Sequence, residues 1–318
     1  MSKKIKGDLM LLLTAMIWGS SFVAQKSGVE FIGPFAFNGI RTIIAGLSLL
    51  LLIFIMGRVK NNSTAAECEA DSTAPEDKAM QRRTLIKGGV SCGIVLCIAG
   101  MLQQIGMIYT TAGKAGFITA LYVVLVPVMG LVLRKKVRPL IWLCVLASAI
   151  GLYLLCMPAS GGTGSINKGD LIVLACAVCF AVHILLIDHF SPKVDGVRLS
   201  CIQFFVAGII AVILMLPLDP LLGYDIPSFS QLLDVWIPIL YSGVLSCGVG
   251  YTLQIVAQAD TDPTVASMIL CLESVFAVIA GMIILGESMS LRETIGCVIM
   301  FAAILAAQMP AKNSSKLS

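Results

Sequence analysis

One four-residue phrase occurs twice in the chain, and its repetition constrains the fold more than any other feature. Lys-Gly-Asp-Leu stands at residues 6–9 and again at 168–171, which is 162 residues later. The register continues without a gap and gives nine identities over 42 positions, including the pair Gly46 and Gly208. We therefore interpret the chain as an internal duplication in which each half begins with the same helix.

The apolar content of the chain is typical of an integral membrane protein. Hydrophobic residues make up 58% of the sequence and charged residues 13%, against about 25% charged residues in an average soluble domain. Apolar runs of about twenty residues recur along the whole length, as a hydrocarbon layer about 30 Å thick requires of a helix. The polar segments between the runs are too short for a soluble domain, so the function is expected within the bilayer.

The apolar runs predict an all-α polytopic membrane protein with ten transmembrane helices. Pro34, Pro139 and Pro263 fall in first turns, where the missing N–H group of proline costs least. The ten predicted helices span residues 8–27, 33–56, 85–109, 112–133, 138–157, 169–189, 197–217, 234–258, 263–285 and 290–309.

The basic residues predict how these helices are oriented in the cytoplasmic membrane. With the N-terminus inside, 17 of the 22 Lys and Arg residues lie in cytoplasmic segments, four in outer segments and Arg41 within a span. Such a bias is typical of cytoplasmic loops, so both termini are expected in the cytoplasm. Five spans per copy is an odd number, which predicts two inverted five-helix repeats around a central cavity. Exchange of conformation between the halves would open that cavity to each side in turn.

This organisation divides the chain at its polar segments. The first repeat is expected at 1–157 and the second, inverted repeat at 169–309. A cytoplasmic linker at 57–84, an outer linker at 158–168 and a cytoplasmic tail at 310–318 complete the chain. The 57–84 segment is rich in Asn, Ser, Thr, Ala and charged residues, a composition that favours a flexible link.

Polar side chains inside the spans are the candidates for function, because they are costly at membrane depth. Glu273 lies about midway along the ninth predicted helix. Its carboxyl group could carry a coupling proton or bind an amino group, or it could be a structural carboxyl hydrogen-bonded between helices. When Pro127 is set opposite Ser274, the counterpart of Glu273 in the first half is Val126.

Three further residues each have two interpretations. Arg41, opposite Gln203 in the repeat, could bind a substrate carboxylate through its two-pronged donor geometry, or it could snorkel or bridge to a helix end and so hold the fold. His183, opposite Ser21, could relay protons or simply pack. Trp18 lies at mid-depth rather than at the membrane interface, so it could line a cavity or fill the core.

These residues, with Gln103, Gln104, Tyr122 and Tyr251 as further hydrogen-bonding side chains within the spans, predict a substrate site and no catalytic residues. Glu273 and His183 are the candidates for proton coupling, and Arg41 has a structural or anion-binding role. The predicted substrate-binding residues are Trp18, Gln103, Gln104, Tyr122, His183, Tyr251 and Glu273.

The predicted partners are a small-molecule substrate and the lipid bilayer. No nucleic acid or cofactor is expected. No metal is expected either, because the Cys176–Cys179 pair has no further metal ligand near it in the sequence. Small residues at Ala147 and Gly151, and at Ala302 and Ala306, fit close helix contacts, either within the bundle or across a homodimer.

Several motifs resemble the EamA-type members of the drug/metabolite transporter superfamily. Residues 15–22, Ala-Met-Ile-Trp-Gly-Ser-Ser-Phe, are similar to the first helix of that family, and Arg41 matches an arginine in its second helix. Segments 109–128 and 272–287 resemble the passage into its fourth helix and the end of its ninth, although Ser274 stands where the family usually has proline.

The resemblance covers nearly the whole chain. It implies a ten-helix bundle whose cavity is lined by helices one, three, four, six, eight and nine, with helices five and ten at the periphery. It also implies export of amino acids or other small metabolites, often in exchange for protons.

The expected function is therefore secondary active transport of a small metabolite by alternating access, most simply as efflux and with protons as candidate coupling ions. One alternative is a lipid scramblase or channel-like facilitator on the same fold. Another is an intramembrane enzyme acting on a lipid or isoprenoid, although His183 and His189 lack metal-ligand spacing. Saturable flux with counterflow would favour the transporter.

Overall fold

The computed structural model describes residues 3–63, 75–110, 112–133, 137–156, 168–285 and 290–308. Within these ranges the regular secondary structure is helical and includes no strand. A 3₁₀ turn at Ser191–Lys193 and a π-helical segment at Tyr241–Tyr251 interrupt the series of α-helices. The α-helices are α1 Lys3–Phe31, α2 Pro34–Ser63, α3 Pro75–Tyr109, α4 Ala112–Ala120, α5 Tyr122–Val132, α6 Pro139–Cys156, α7 Lys168–Phe190, α8 Gly196–Leu221, α9 Phe229–Asp234, α10 Trp236–Leu240, α11 Thr252–Gln258, α12 Pro263–Leu270, α13 Glu273–Leu285 and α14 Leu291–Gln308.

The helices confirm the prediction of an all-helical, multi-pass membrane protein. In the described part of the chain, seven helical stretches are long and apolar enough to cross a membrane, and three further apolar helices are shorter. These stretches follow the predicted spans in order. As predicted, Pro34, Pro139 and Pro263 are the first residues of α2, α6 and α12.

Two spans that we predicted to be continuous are interrupted near their middle. The helix predicted at 112–133 divides into α4 and α5 at Leu121, where the N–H group of Leu121 donates to the carbonyl of Ile118 at 3.2 Å. This bond to the third preceding residue tightens the chain into a 3₁₀-like turn. The prediction of one unbroken helix is therefore wrong here.

The same correction applies to the helix predicted at 263–285, which divides into α12 and α13 at Cys271–Leu272. The N–H of Leu272 donates to Ile269 at 3.1 Å, and the N–H of Ser274 donates to Cys271 at 3.2 Å. The interruption therefore occurs although serine replaces the family's proline.

The two interruptions occupy matching places. Tyr122 begins α5 ten residues after the start of α4, and Glu273 begins α13 ten residues after the start of α12. The two residues are thus structural counterparts at a spacing of 151. Our alignment of Glu273 with Val126 is corrected accordingly, because it ignored the breaks.

The eighth predicted helix, at 234–258, consists of α10, the π-helical segment and α11. A π-helix is wider than an α-helix and is often found at functional sites. A Cβ atom added at Gly250 would lie 2.7 Å from Nε1 of Trp18, and one at Gly243 would lie 2.9 Å from the carbonyl oxygen of Arg41. Glycine at these positions lets α1 and α2 approach the segment's backbone closely.

The described ends of the predicted 57–84 linker are helical rather than irregular. α2 continues to Ser63, because each residue added to an existing helix gains a hydrogen bond without a new nucleus. Pro75 begins α3, which suits its fixed backbone angle. Residues 64–74 of the linker, the outer linker at 158–167 and the tail at 310–318 lie outside the described residues.

α2 and α8 pack closely through residues that are partners in the sequence repeat. A Cβ atom at Gly46 would lie 3.2 Å from the ring of Phe205, and one at Gly208 would lie 2.7 Å from Cδ1 of Ile43. Gly46 and Gly208 are 162 residues apart, as are Ile43 and Phe205. The contact is therefore reciprocal, as across a two-fold interface.

The first turn of α2 is capped by a side chain from the end of α8. The fully buried carboxylate of Asp219 accepts hydrogen bonds from the backbone N–H groups of Phe35 at 3.1 Å and Ala36 at 2.8 Å. These N–H groups have no partner within their own helix, and a negative charge is favourable at a helix N-terminus. A Cβ at Gly33 would lie only 2.3 Å from Cγ of Asp219, so glycine makes the approach possible.

The small-residue face of α6 packs against α14. A Cβ added at Gly151 would lie 2.7 Å from the carbonyl oxygen of Gly296 and from Cγ of Met300. Of the two locations predicted for this close contact, the structure places it within the bundle. The homodimer stays a prediction.

Candidate functional site

A cavity of about 40 Å³ lies between the spans. Its volume is sufficient for on the order of three water molecules. A metabolite therefore fits only when the walls move apart. The residues that line the cavity are Trp18, Ser21, Phe22, Gln25, Arg41, Gln103, Thr119, Tyr122, Phe180, Ser246, Cys247, Tyr251 and Glu273.

The helices around the cavity include all six that the family resemblance implied, and α2 in addition. Predicted helices one, three, four, six, eight and nine each contribute at least one lining residue, while α2 contributes Arg41. The peripheral helices α6 and α14 contribute none of the lining residues.

Five of the seven predicted substrate-binding residues line this cavity. They are Trp18, Gln103, Tyr122, Tyr251 and Glu273. The other two, Gln104 and His183, are buried nearby but are not among the lining residues.

Glu273 is buried, with 4% of its surface exposed. Its Oε1 atom accepts a hydrogen bond from the hydroxyl of Tyr122 at 3.1 Å. Each of the two residues begins the second half of an interrupted span, so the breaks bring a carboxyl and a phenol together at the cavity wall. A carboxyl in this place can exchange a proton with the cavity or attract a cationic group.

Arg41 is held by amide side chains on another wall of the cavity. Its Nε and Nη2 atoms donate to Oδ1 of Asn38 at 3.0 and 2.7 Å, and Nη1 donates to Oε1 of Gln25 at 2.6 Å. The bond to Gln25 joins α2 to a side chain within α1, whereas the structural interpretation of Arg41 had expected a bridge to a helix end. These contacts use three of the five guanidinium N–H donors and neutralise no charge, so donors remain for an anion.

Gln25 is the centre of a polar network between α1, α2 and α3. Its Oε1 atom also accepts from Nε2 of Gln104 at 2.7 Å, and its Nε2 donates to Oγ of Ser21 at 2.9 Å. Ser246 in the π-helical segment donates to the same Ser21 oxygen at 3.1 Å. Gln104 therefore acts behind the cavity wall, through Gln25.

Trp18 forms part of an aromatic wall. Its Nε1 atom donates to the carbonyl oxygen of Ser246 at 3.1 Å, and its ring centroid lies 4.4 Å from that of Tyr251. The indole is thus anchored by one hydrogen bond and lines the cavity, the first of its two predicted roles.

His183 is a packed and hydrogen-bonded residue. Its Nε2 atom lies 3.1 Å from Oε1 of Gln203, an amide oxygen that can only accept, so the histidine donates. The bond joins α7 to α8, and the imidazole packs edge-on against Tyr251 at 5.9 Å. This placement agrees with the packing interpretation and puts the residue behind the cavity wall.

Several lining residues were not predicted from the sequence, among them Ser21, Phe22 and Gln25. Together with Trp18 they stand at positions i, i+3, i+4 and i+7 of α1, which is one face of a helix. The polar residues on this face were a usable signal. Thr119, Phe180, Ser246 and Cys247 were missed as well; Ser246 and Cys247 lie in the π-helical segment, which the sequence did not predict.

The described residues contain no group of three His, Cys, Asp or Glu side chains that could hold a metal ion.

Comparisons with known proteins give a consistent family match. The EamA-like transporter family matches residues 5–157 and 167–308. An uncharacterized transporter of Archaeoglobus fulgidus is 29% identical over 95% of this chain and 86% of its own length. The uncharacterized inner membrane transporter YedA of Escherichia coli K12 is 26% identical over 91% of this chain and 87% of its own. One solved crystal structure has a similar fold, with a TM-score of 0.70, 15% identity and 96% of each chain covered.

Proposed function

Because the chain belongs to the EamA-like transporter family, we propose that it is a secondary active transporter of a small zwitterionic metabolite, such as an amino acid. Membership confirms the resemblance expected from the sequence motifs. The observation that carries the proposal is a cavity inside the bundle with a carboxyl group, Glu273, and a guanidinium group, Arg41, among its walls.

The two ionisable side chains suit the two ends of one substrate. A guanidinium binds carboxylates through paired N–H donors, and Arg41 keeps donors beyond those used by Asn38 and Gln25. Glu273 could receive the ammonium group, with Tyr122 orienting its carboxyl. Trp18 and Tyr251 would then enclose the apolar part of the substrate.

The transport mechanism in this proposal is alternating access by two inverted five-helix halves, 1–157 and 169–309. The matching breaks at Tyr122 and Glu273 support it, as do the reciprocal contacts of Gly46 and Gly208. Both termini would be cytoplasmic, with export as the working direction.

Glu273 is our proposed coupling residue. A carboxyl that exchanges a proton for a cationic substrate would couple the pH gradient to transport. His183 is a weaker candidate, because Gln203 binds its Nε2 atom and the ring does not line the cavity.

The test is counterflow in liposomes that contain the purified protein. Ligands are first identified by thermal-shift screening against the common amino acids, nucleosides, sugars and organic cations. Vesicles loaded with an unlabelled hit should then accumulate the radiolabelled hit transiently and saturably. Linear, unsaturable flux without counterflow would favour the channel-like facilitator, and movement of fluorescent lipid between leaflets would favour the scramblase.

A further inference from the structure

We propose that two Asp–Thr pairs are latches that close in alternation, Thr110 with Asp170 at the outer end of the bundle and Thr261 with Asp8 at the inner end. This inference rests on the proposed function, because it assigns residues to the closing of each face. In the structure the outer latch is closed and the inner latch is open.

The outer pair joins the end of α3 to the start of α7. Oγ1 of Thr110 donates to Oδ1 of Asp170 at 2.6 Å, and both side chains are buried. A bond this short from a hydroxyl to a carboxylate is characteristic of a charge-assisted hydrogen bond. Beside it, Nζ of Lys168 lies 3.7 Å from the centre of the Tyr109 ring, which covers the same junction.

The inner pair occupies equivalent positions. Asp8 and Asp170 are the aspartates of the repeated Lys-Gly-Asp-Leu phrase. Thr110 stands two residues before the start of α4, and Thr261 stands two residues before the start of α12. The inner latch is therefore the counterpart of the outer one in the other half.

The backbones around the two latches also meet in the same way. A Cβ added at Gly106, four residues before Thr110, would lie 3.3 Å from the carbonyl oxygen of Gly169. The counterpart of Gly106 at the spacing of 151 is Ala257, whose carbonyl oxygen would lie 3.5 Å from a Cβ at Gly7. The helix ends are thus in contact at both latches.

The inner latch nevertheless lacks its hydrogen bond. Oδ1 of Asp8 and Oγ1 of Thr261 are both buried, and neither atom has a partner among the described residues. The Thr261 hydroxyl already lies against α1, at 2.9 Å from a Cβ placed on Gly7. Because unpaired buried polar atoms are unfavourable, a small movement of α1 that joins them would stabilise an inner-closed conformation.

The experiment compares two matched variants, Thr110→Val and Thr261→Val, which remove a hydroxyl and keep the shape of the side chain. Both are made in full-length protein that keeps Cys247, a cavity-lining residue, as its one cysteine. A membrane-impermeant cationic methanethiosulfonate reagent is applied to the outside of right-side-out vesicles. Removing a hydrogen bond to a charged acceptor shifts a two-state equilibrium on the order of tenfold, so Thr110→Val should raise the rate of external labelling by about that factor.

Thr261→Val should leave external labelling unchanged or lower than in the parent. Equal labelling rates in the parent and both variants would overturn the latch proposal. If Thr110→Val does not fold, the double variant Thr110→Cys/Asp170→Cys replaces it. Oxidation of that pair must suppress external labelling of Cys247 reversibly, and unchanged labelling after cross-linking would reject the latch.

Counterflow by the parent protein separates this inference from the proposed function. If the parent protein shows counterflow but Thr110→Val does not change the rate of external labelling of Cys247, the transport proposal stands and the latch proposal is rejected. If the parent protein shows no saturable exchange but Thr110→Val still raises the rate of external labelling of Cys247, the latch proposal is supported and the transport proposal is rejected.

Discussion

The hydroxyl of Tyr122 donates a hydrogen bond to Oε1 of Glu273 at 3.1 Å, and each residue is the first of the helix that follows a break in its span. The two interruptions therefore meet at the cavity wall. In one half the matching position carries a carboxyl group and in the other a phenol, so the site is asymmetric although the scaffold is repeated.

Glu273→Gln should abolish flux driven by a pH gradient while leaving exchange of substrate in the absence of a gradient measurable, because the amide keeps the shape but cannot carry the proton. The measurement is radiolabel flux in proteoliposomes with and without an imposed gradient. Asp234→Asn, at the exposed end of α9, is the matched control and should behave like the parent. Full coupling in Glu273→Gln would remove Glu273 from the mechanism.

Tyr122→Phe should destabilise the protein by about 1–3 kcal/mol, because a buried carboxyl loses its hydrogen-bond donor while the ring packing is kept. The free energy of unfolding in detergent is measured for this variant, for Glu273→Gln and for the double variant. We expect the two changes to be non-additive, since they affect one bond. Additive effects would mean that the bond contributes nothing.

Arg41→Lys should raise KM on the order of tenfold for substrates that carry a carboxylate, because lysine cannot hold the Asn38 and Gln25 contacts and still present paired donors. Transport of the same compound as its methyl ester should change much less. Arg58→Lys, near the exposed end of α2, serves as the control. An equal loss for acid and ester would assign Arg41 a purely structural role.

Gly250→Ala should impair both stability and transport, because the added Cβ would lie 2.7 Å from Nε1 of Trp18 and push the indole away from Ser246. The expected loss of unfolding free energy is about 1–3 kcal/mol. Gly57→Ala meets no atom within 4 Å and should be neutral or slightly stabilising. Unaltered tryptophan fluorescence and stability in Gly250→Ala would contradict the tight approach.

Single cysteines at Lys6 and at Lys168 should react with an impermeant reagent from opposite sides of the membrane, since an odd number of spans separates the two copies of the phrase. Labelling is compared in right-side-out and inverted vesicles, in a background free of other cysteines. Reaction of both from the same side would refute the inverted arrangement and with it alternating access.

The sequence predicted the order of the helices and several of their starts, because prolines determine these locally, but it ended α2 seven residues too early and began α3 ten residues too late. Pro34, Pro139 and Pro263 each begin a helix where expected. The breaks at Leu121 and at Cys271–Leu272 escaped prediction, because these are ordinary helix-compatible residues and the interruptions depend on tertiary packing.

The site was predictable where a polar residue is rare at membrane depth. Glu273, Arg41 and Trp18 were recognised for that reason and all line the cavity. Gln25 was not recognised, because its importance comes from accepting bonds from two other helices. His183 was recognised for its chemistry, but Gln203 already satisfies its Nε2 atom.

The carboxylate of Asp219 has a mechanical consequence. It joins the first turn of α2 to the last turn of α8 by hydrogen bonds, so that two helices from different halves are connected at this point. If the two halves move relative to each other, we expect them to rotate about this junction between α2 and α8. Arg41 would then move little while Glu273 moves away from it. A substrate bound between the two side chains would therefore be held more weakly each time the protein opens.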